Sequence, residues 1–452
     1  AYAGGNLVAR ASDTLTNNGQ ILADGLLLLA AEDGLTNTGI VNGANAVRIS
    51  SSALTNSGTV NAAEVLLLDG LSSFDNTGGT LSSVTGIQIE LAGPQSVNAT
   101  TWGDVLSADW LTLQGANGGD ITSLNIAADT NIVSQGQLII RAQDVVNAGT
   151  LASVDDNLLL QARNDITNTG LIYAGGDLLA LRAGGTFLND GGVIYAASNV
   201  LLCGVGSADC TQNLSADRAG ALINRTRFDG ADYVPGVIET QNGNIILAAA
   251  EIRNERVGSA EVTESARFDE RRRRVGRDTC STLFCAGDDS DRYYVEWTYG
   301  TTTSVDLEGP ASIILSGGDL SFNAGTITND YATISATGDI DFQAIEVVNN
   351  GAQSGTTRHR ETQDWYYDDR NVLSGGNRDY PTGPIVVRPS TFTADETFTG
   401  VIEAGGAITG TVVDAVINTS VTGDLQNFTA DPSGTSAPTI GNPGSIAGYV
   451  DL

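Results

Sequence analysis

The sequence is poor in several residue types that many functions require. Its 452 residues include no lysine, no methionine, one histidine, four cysteines and nine prolines. All 22 basic residues are arginines, and 53 acidic residues oppose them, so the net charge is −31. A surface this acidic repels the phosphates of DNA and RNA, and we therefore predict no nucleic-acid partner. No apolar run approaches the length of about 18 residues that indicates a membrane-spanning helix, so we predict no membrane span.

The same scarcity limits the chemistry that the chain can perform. The lone histidine, His359, is not accompanied by a Gly-x-Ser-x-Gly elbow, which argues against nucleophilic catalysis. Gly-Gly-Asp steps end at Asp120, Asp177 and Asp319, but they do not recur every nine residues as a calcium-binding β-helix repeat requires. We predict no catalytic, cofactor-binding or metal-binding residues in this chain, and no cofactor.

The chain is instead rich in a short repeat centred on asparagine. An apolar residue lies two positions before each asparagine and a glycine two positions after it, as in Leu15-Thr-Asn17-Asn-Gly19. Four N-terminal copies follow one another at a nearly constant interval, and three later copies do so again at almost the same interval. The asparagines of these copies are Asn17, Asn37, Asn56, Asn76, Asn147, Asn168 and Asn189, and degraded copies occur at Asn329, Asn349 and Asn418.

This interval, a period of about 20 residues, decides the architecture. Apolar residues after the glycine, such as Ile21, keep the period of two that a strand requires, and a second apolar strand follows at Leu26 to Leu29. Each repeat therefore holds about three short strands and no helix, unlike a leucine-rich repeat. One such unit cannot bury its apolar face alone, so we predict an all-β fold, a parallel β-helix whose asparagines stack as a ladder of hydrogen-bonded amides. The glycine is predicted to supply a backbone angle that other residues resist.

The regular repeats are interrupted, and the interruptions divide the chain. Alternating residues from Tyr293 to Thr303 predict an arm of a long β-hairpin that leaves the coils. Because the chain opens inside a repeat, we expect it to be a piece of a longer protein. The predicted order is β-helix coils at 1–202, a disulfide-bearing insertion at 203–236, one coil at 237–252, an extra-helical hairpin at 253–308, coils at 309–351, a second extra-helical insertion at 352–390, and terminal coils with an exit segment at 391–452.

The four cysteines form two close pairs, each inside one insertion. Cys203 and Cys210 are separated by six residues, and Cys280 and Cys285 by four. We predict two local disulfides that pin loops without a core of their own, as in exported proteins. A zinc site is the alternative, but such sites combine close cysteine pairs with further cysteines or histidines, and this chain has one histidine.

Aromatic residues concentrate in two insertions of a chain that is otherwise poor in rings. Two interpretations stay open: the rings pack the hairpins onto the coils, or they form a contact patch for a partner protein or glycan. The nearby run Arg271–Arg274 is predicted to pair with acidic residues across the hairpin rather than to bind a polyanion. The candidate partner-contact residues are Tyr293, Tyr294, Trp297, Tyr299, Trp365, Tyr366 and Tyr367.

The repeat L-T-N-x-G-x-[IV]-x-A, with its G-G-[DN]-L turns, resembles the filamentous haemagglutinin repeats of large exoproteins exported by two-partner secretion. The segments Ile252-Arg-Asn-Glu-Arg256 and Asp364-Trp-Tyr-Tyr367 resemble the extra-helical hairpins of such repeats. The stretch 441–448 is similar to the region where the repeats give way to a following domain in contact-dependent growth inhibition proteins. The resemblance implies a right-handed β-helix on a surface filament of a Gram-negative bacterium. It also implies an outer-membrane two-partner secretion transporter as a partner of the full-length protein.

The sequence therefore predicts a structural segment, not an enzyme. We expect a monomeric rod that is secreted or displayed at the cell surface, where it mediates adhesion to a target-cell protein or glycan or presents a toxin to neighbouring cells. The alternative is a β-helix polysaccharide lyase or hydrolase, because such enzymes use paired carboxylates on one flank of the coils.

Overall fold

The structure of the chain is a computed structural model in which nearly all regular structure is β-strand. One short 3₁₀ turn at Ala116–Gly118 is the exception within the described ranges. The same ranges contain no helix of sufficient length and apolarity to cross a membrane. The structure describes residues 1–92, 96–98, 104–107, 109–206, 218–265, 269–279, 289–369, 378–419 and 425–428.

Successive copies of the repeat lie directly above one another. Leu35 pairs in parallel register with Leu15 in the preceding coil and with Leu54 in the following one. The side chains of Leu27 and Leu29 point inward and are fully buried, because alternate residues of a strand face the same side. The predicted parallel β-helix is therefore confirmed, and its core is one continuous column of mostly aliphatic side chains with a few phenylalanines.

The coils present three faces. We call them the first, second and third face in the order in which the chain meets them in each coil. Within the described ranges, the first face is a sheet of 14 parallel strands. Its strands are Tyr2–Ala3, Gln20–Ala23, Ile40–Gly43, Thr59–Ala62, Thr80–Ser83, Asp104–Ser107, Asn131–Ser134, Thr150–Ser153, Leu171–Ala174, Val193–Ala196, Val237–Thr240, Ile313–Ser316, Thr333–Ala336 and Val401–Ala404.

The second face is built in the same way from the strand that follows in each coil. Its strands are Leu7–Ala11, Leu27–Ala31, Val47–Ser51, Val65–Leu71, Gly86–Leu91, Trp110–Gly115, Leu158–Ala162, Leu178–Ala183 and Asn199–Cys203.

The third face carries the asparagine motif. In five coils the second and third strands merge into one strand that turns the corner, so these coils have two strands where we predicted three. Separate third-face strands are Thr14–Asn17, Gly34–Asn37, Ala53–Asn56, Ser73–Asp75, Ser96–Asn98, Ile121–Ile126, Ile166–Asn168, Thr186–Asp190 and Ala219–Arg225; the merged strands are Gln137–Asn147, Ile245–Glu255, Leu320–Asp330, Ile340–Asn350 and Ile408–Thr419, the last of which also pairs with Leu425–Phe428.

The buried asparagines form two hydrogen-bonded ladders. In the first ladder Nδ2 of Asn17 donates to Oδ1 of Asn37 at 2.7 Å, and the same contact joins Asn37 to Asn56 and Asn56 to Asn76 at 2.6 Å. The second ladder begins at Asn147, because the preceding coil places Ile126 at that position. It continues through Asn168, Asn189, Asn224, Asn254, Asn329, Asn349 and Asn418 with spacings of 2.7–3.0 Å.

The reason predicted for the motif glycine is wrong at most turns. Gly39 does not have a positive φ angle, and a Cβ atom there would collide with the carbonyl oxygen of Gly19 in the preceding coil. Glycine is needed because backbones of successive coils approach closely at this turn. In turns with a second glycine, the first glycine, Gly78 or Gly191, does adopt a positive φ of 70° or 67°.

Several boundaries differ from the predicted ones. The segment 203–236 contains a coil strand, Ala219–Arg225, which pairs with Thr186–Asp190 on the third face. A small hairpin, Arg227–Phe228 with Tyr233–Val234, then leaves the coils. The second insertion extends beyond residue 390, because the strand Val386–Phe398 does not return to the coils.

The two long insertions do not form separate hairpins. They leave the coils at equivalent corners, directly after Asn254 and Asn349, and one coil, the one that carries Asn329, lies between them. At a rise of about 4.8 Å per coil, their bases are roughly 10 Å apart, which is close enough for strands from both to pair. Together they form one antiparallel sheet, which we call the side sheet. Its strands are Gly258–Glu264, Asp269–Thr279, Asp289–Leu307, Ala352–Asp369, Arg378–Pro381 and Val386–Phe398.

Candidate functional site

The side sheet brings the predicted contact residues of both insertions together. Its two longest strands, Asp289–Leu307 and Ala352–Asp369, pair along most of their length without a register shift, so residues opposite each other share a face. Tyr293 lies opposite Trp365, and Tyr299 lies opposite His359. The seven predicted aromatic residues are thus divided between the two faces. Tyr293, Trp297, Tyr299, Trp365 and Tyr367 share one face, and Tyr294 and Tyr366 share the other.

On the first of these faces Tyr293 and Tyr299 contact residues of the side sheet. The guanidinium of Arg272 lies 5.3 Å from the ring centroid of Tyr293. The same guanidinium forms an ion pair with Asp379, with 3.1 Å between Nη1 and Oδ2. The side chain of Tyr293 is buried, with 8% of its surface exposed. Tyr299 stacks on His359 with ring centroids 4.8 Å apart. These contacts indicate that this part of the aromatic set joins the two insertions to each other.

The arginine run has the kind of partners that we predicted. Arg274 forms an ion pair with Asp291 on the neighbouring arm of the same insertion. Arg272 pairs instead with Asp379 of the second insertion, so the run also joins the two insertions. At the base, Arg256 lies 5.9 Å from the ring centroid of Phe398, which links the insertions where they meet the coils.

The opposite face of the side sheet holds a concavity of about 420 Å³. Within it, a guanidinium nitrogen of Arg360 donates to Oε2 of Glu296 at 2.6 Å, and Nε of Arg388 donates to the hydroxyl of Thr362 at 3.1 Å. Glu296 and Thr362 are buried at 7% and 8% exposure, while Arg360 and Arg388 are exposed. The lining residues are Tyr294, Glu296, Arg360, Thr362, Asp364, Arg388 and Pro389.

The ion pair between Arg360 and Glu296 favours the charged form of both side chains. The hydrogen bond from Arg360 lowers the pKa of Glu296 below its ordinary value, although burial acts in the opposite direction. The same hydrogen bond raises the pKa of Arg360. Sequence reasoning missed Glu296, Thr362 and Arg388 as site residues, because they become neighbours only when the two insertions pair.

Acid is expected to weaken the side sheet through Glu296. Its folded-state pKa is depressed below 4.5, so the stabilisation is present above that value and is lost as the pH falls through the folded pKa. We expect Glu296→Gln to lower the unfolding temperature at pH 7. The measurement is tryptophan fluorescence, to which Trp297 and Trp365 of the side sheet contribute. The difference from the wild type should shrink as the pH falls from the ordinary glutamate pKa through the lowered folded-state pKa of Glu296.

The control for this experiment is Glu64→Gln, which changes an exposed glutamate on the coils. It should match the wild type across the pH range. A Glu296→Gln difference that keeps the same size as the pH falls would contradict the expected linkage.

The remaining residues considered in the sequence analysis are the four cysteines and the single histidine. Cys203 is fully buried and takes part in a disulfide, while Cys210, Cys280 and Cys285 lie outside the described residues, so the pairing stays a prediction. His359 forms a 2.8 Å hydrogen bond with the hydroxyl of Thr301. In the part of the chain that the structure describes, no group of three histidine, cysteine or acidic side chains is placed to hold a metal ion.

The stacked repeat and the side sheet define the chain as a repeat-built β-helix with an extra-helical sheet. No family model matches it, and no solved structure matches it. It is 25% identical, over 82% of its length, to a deoxyribonuclease CdiA of Dickeya dadantii (strain 3937). It is 23% identical, over 98% of its length, to a tRNA nuclease CdiA of Escherichia coli (strain STEC_O31), and 24% identical, over 72%, to one of Escherichia coli O6:K15:H31 (strain 536 / UPEC).

These relatives are contact-dependent growth inhibition proteins, which are two-partner secretion exoproteins of Gram-negative bacteria. The predicted resemblance to filamentous haemagglutinin-repeat exoproteins is therefore confirmed. The chain spans 12–13% of the length of these relatives.

Proposed function

We propose that this chain is a rod segment of a contact-dependent growth inhibition exoprotein, and that its side sheet contacts the surface of the target cell. In this proposal a two-partner secretion transporter exports the full-length protein, and any nuclease activity resides outside this segment. The β-helix acts as the support, and the partner of the side sheet is a target-cell protein or glycan.

The observation that carries this proposal is the composition and position of the side sheet. The coils repeat one pattern, whereas the side sheet is a separate antiparallel element built from two insertions at the same corner. It contains two of the four tryptophans and six of the twelve tyrosines of the chain. Tyr293 and Tyr299 take part in the contacts that join the two insertions, whereas Tyr294 lines the concavity on the opposite face. Large aromatic side chains supply contact area with little loss of conformational entropy, which favours a recognition surface.

Removal of the side sheet is expected to abolish target-cell binding and leave the β-helix folded. Because the two insertions pair with each other, both must be removed together, so that neither leaves an unpaired edge. In this variant a two-residue Thr-Gly turn, copied from the turn that follows Asn168, joins Asn254 to Ile313. A second copy of the same turn joins Asn349 to Val401. The measurement is adhesion of the labelled protein to candidate target bacteria, with circular dichroism to report the fold.

The matched control removes the small hairpin at Arg227–Val234. This hairpin leaves the coils at the equivalent corner of the preceding coil, shortly after Asn224. This variant should bind target cells as the wild type does. Unchanged adhesion after removal of the side sheet would contradict the proposed role.

A further inference from the structure

The concavity that contains Glu296, Arg360 and Arg388 combines guanidinium hydrogen-bond donors with carboxylate acceptors. The positive charge of Arg360 is balanced by Glu296 at 2.6 Å. Arg388 uses its Nε atom to contact Thr362, and Asp364 adds a second carboxylate to the lining. The lining therefore holds two guanidinium groups and two carboxylates. Arg271, directly opposite Glu296 on the neighbouring strand, adds a further positive charge that acts on Glu296.

The presence of both guanidinium and carboxylate groups in the lining decides which ligand chemistry fits. A sulfate, phosphate or carboxylate ligand would be attracted by the arginines and repelled by Glu296 and Asp364. A sugar hydroxyl, in contrast, donates to a carboxylate and accepts from a guanidinium at the same time. The ring of Tyr294 lines the same concavity and offers an aromatic surface for the apolar side of a sugar ring.

The polar groups are also held in place before any ligand binds. Glu296 and Thr362 lie opposite each other on the two central strands, and both are buried. They fix the orientation of Arg360 and Arg388, whose side chains remain exposed at the mouth of the site. Such preorganisation reduces the entropy that binding must overcome.

We propose that this concavity binds a neutral saccharide. The inference rests on the proposed function, because it names the chemistry through which the side sheet recognises a surface. It requires both insertions, since Tyr294 and Glu296 come from the first one, and Arg360, Thr362 and Arg388 come from the second.

The test is calorimetric titration of the full chain with neutral oligosaccharides (lactose, maltotriose, mannotriose and chitotriose) and acidic ones (sialyllactose and digalacturonate). We expect at least one neutral oligosaccharide to bind, and Arg388→Gln and Tyr294→Ala to weaken its affinity about tenfold or more. Tyr294→Phe keeps the ring and should give a smaller loss. The matched control is Arg358→Gln, because Arg358 is an exposed arginine of the same strand as Arg360 that does not line the concavity.

Three results would overturn the inference: binding of acidic oligosaccharides alone, binding of none, or an affinity that the Arg388→Gln and Tyr294 variants leave unchanged. Target-cell adhesion separates this inference from the proposed function. If Arg388→Gln adheres normally and binds the saccharide as tightly as the wild type, while removal of the side sheet abolishes adhesion, the saccharide site is wrong and the proposed function stands. If removal of the side sheet leaves adhesion unchanged, the proposed function itself is wrong.

Discussion

Replacing Asn168 by alanine is expected to lower the free energy of unfolding by roughly 3–5 kcal/mol. Asn168 is fully buried, and its Nδ2 atom donates to Oδ1 of Asn189 at 2.8 Å and to the carbonyl of Gly170 at 3.1 Å. Its Oδ1 atom accepts from Asn147 at 2.8 Å. Alanine removes all three hydrogen bonds, leaves buried polar groups without these partners and opens a small cavity. The measurement is the midpoint of urea denaturation followed by circular dichroism.

Asn164→Ala is the control for this substitution. Asn164 lies in the same coil and its side chain is exposed, where it donates to Asp144 at 3.2 Å. Its loss should shift the midpoint very little, because water replaces the missing partner. A similar shift for both variants would show that the ladder does not stabilise the stack more than a surface hydrogen bond does.

The ladder also shows which parts of the fold the sequence can predict. The period of the motif specifies that equivalent residues stack, and the amides of the seven predicted asparagines lie in the two ladders. The sequence did not reveal Asn224 and Asn254, which occupy the same position. An apolar residue precedes each of them by two positions, Leu222 and Ile252, but no glycine follows, because an insertion replaces the tight turn.

The side sheet was harder to predict, for a different physical reason. Tyr293 and Trp365 are directly opposite each other in the sheet but belong to different insertions, far apart along the chain. Both insertions alternate polar and apolar residues imperfectly, and both faces of the sheet carry charges and rings, so the pattern does not select one register. The concavity depends on that register. Sequence reasoning could therefore identify the aromatic residues but not Arg388 or Thr362 as their neighbours.

The glycine of the repeat offers the second large effect. Gly39→Ala is expected to destabilise the N-terminal coils by about 3 kcal/mol, at the upper end of the range for overpacked sites. The added Cβ would lie against the carbonyl oxygen, carbonyl carbon and nitrogen of Gly19. These are backbone atoms that cannot rotate away, so the two coils must separate. The measurement is hydrogen exchange of the amides in residues 1–62, together with the thermal midpoint.

Gly19→Ala is the control for this prediction, because it changes the same position of the motif one coil earlier. A Cβ atom at Gly19 would meet no other atom within 4 Å, so this variant should exchange as the wild type does. The contrast separates close packing from conformational preference. Neither Gly19 nor Gly39 has a positive φ angle, so a requirement for unusual backbone angles would predict no difference between the variants. Equal protection in both variants would therefore contradict close approach of the coils as the reason for glycine in the motif.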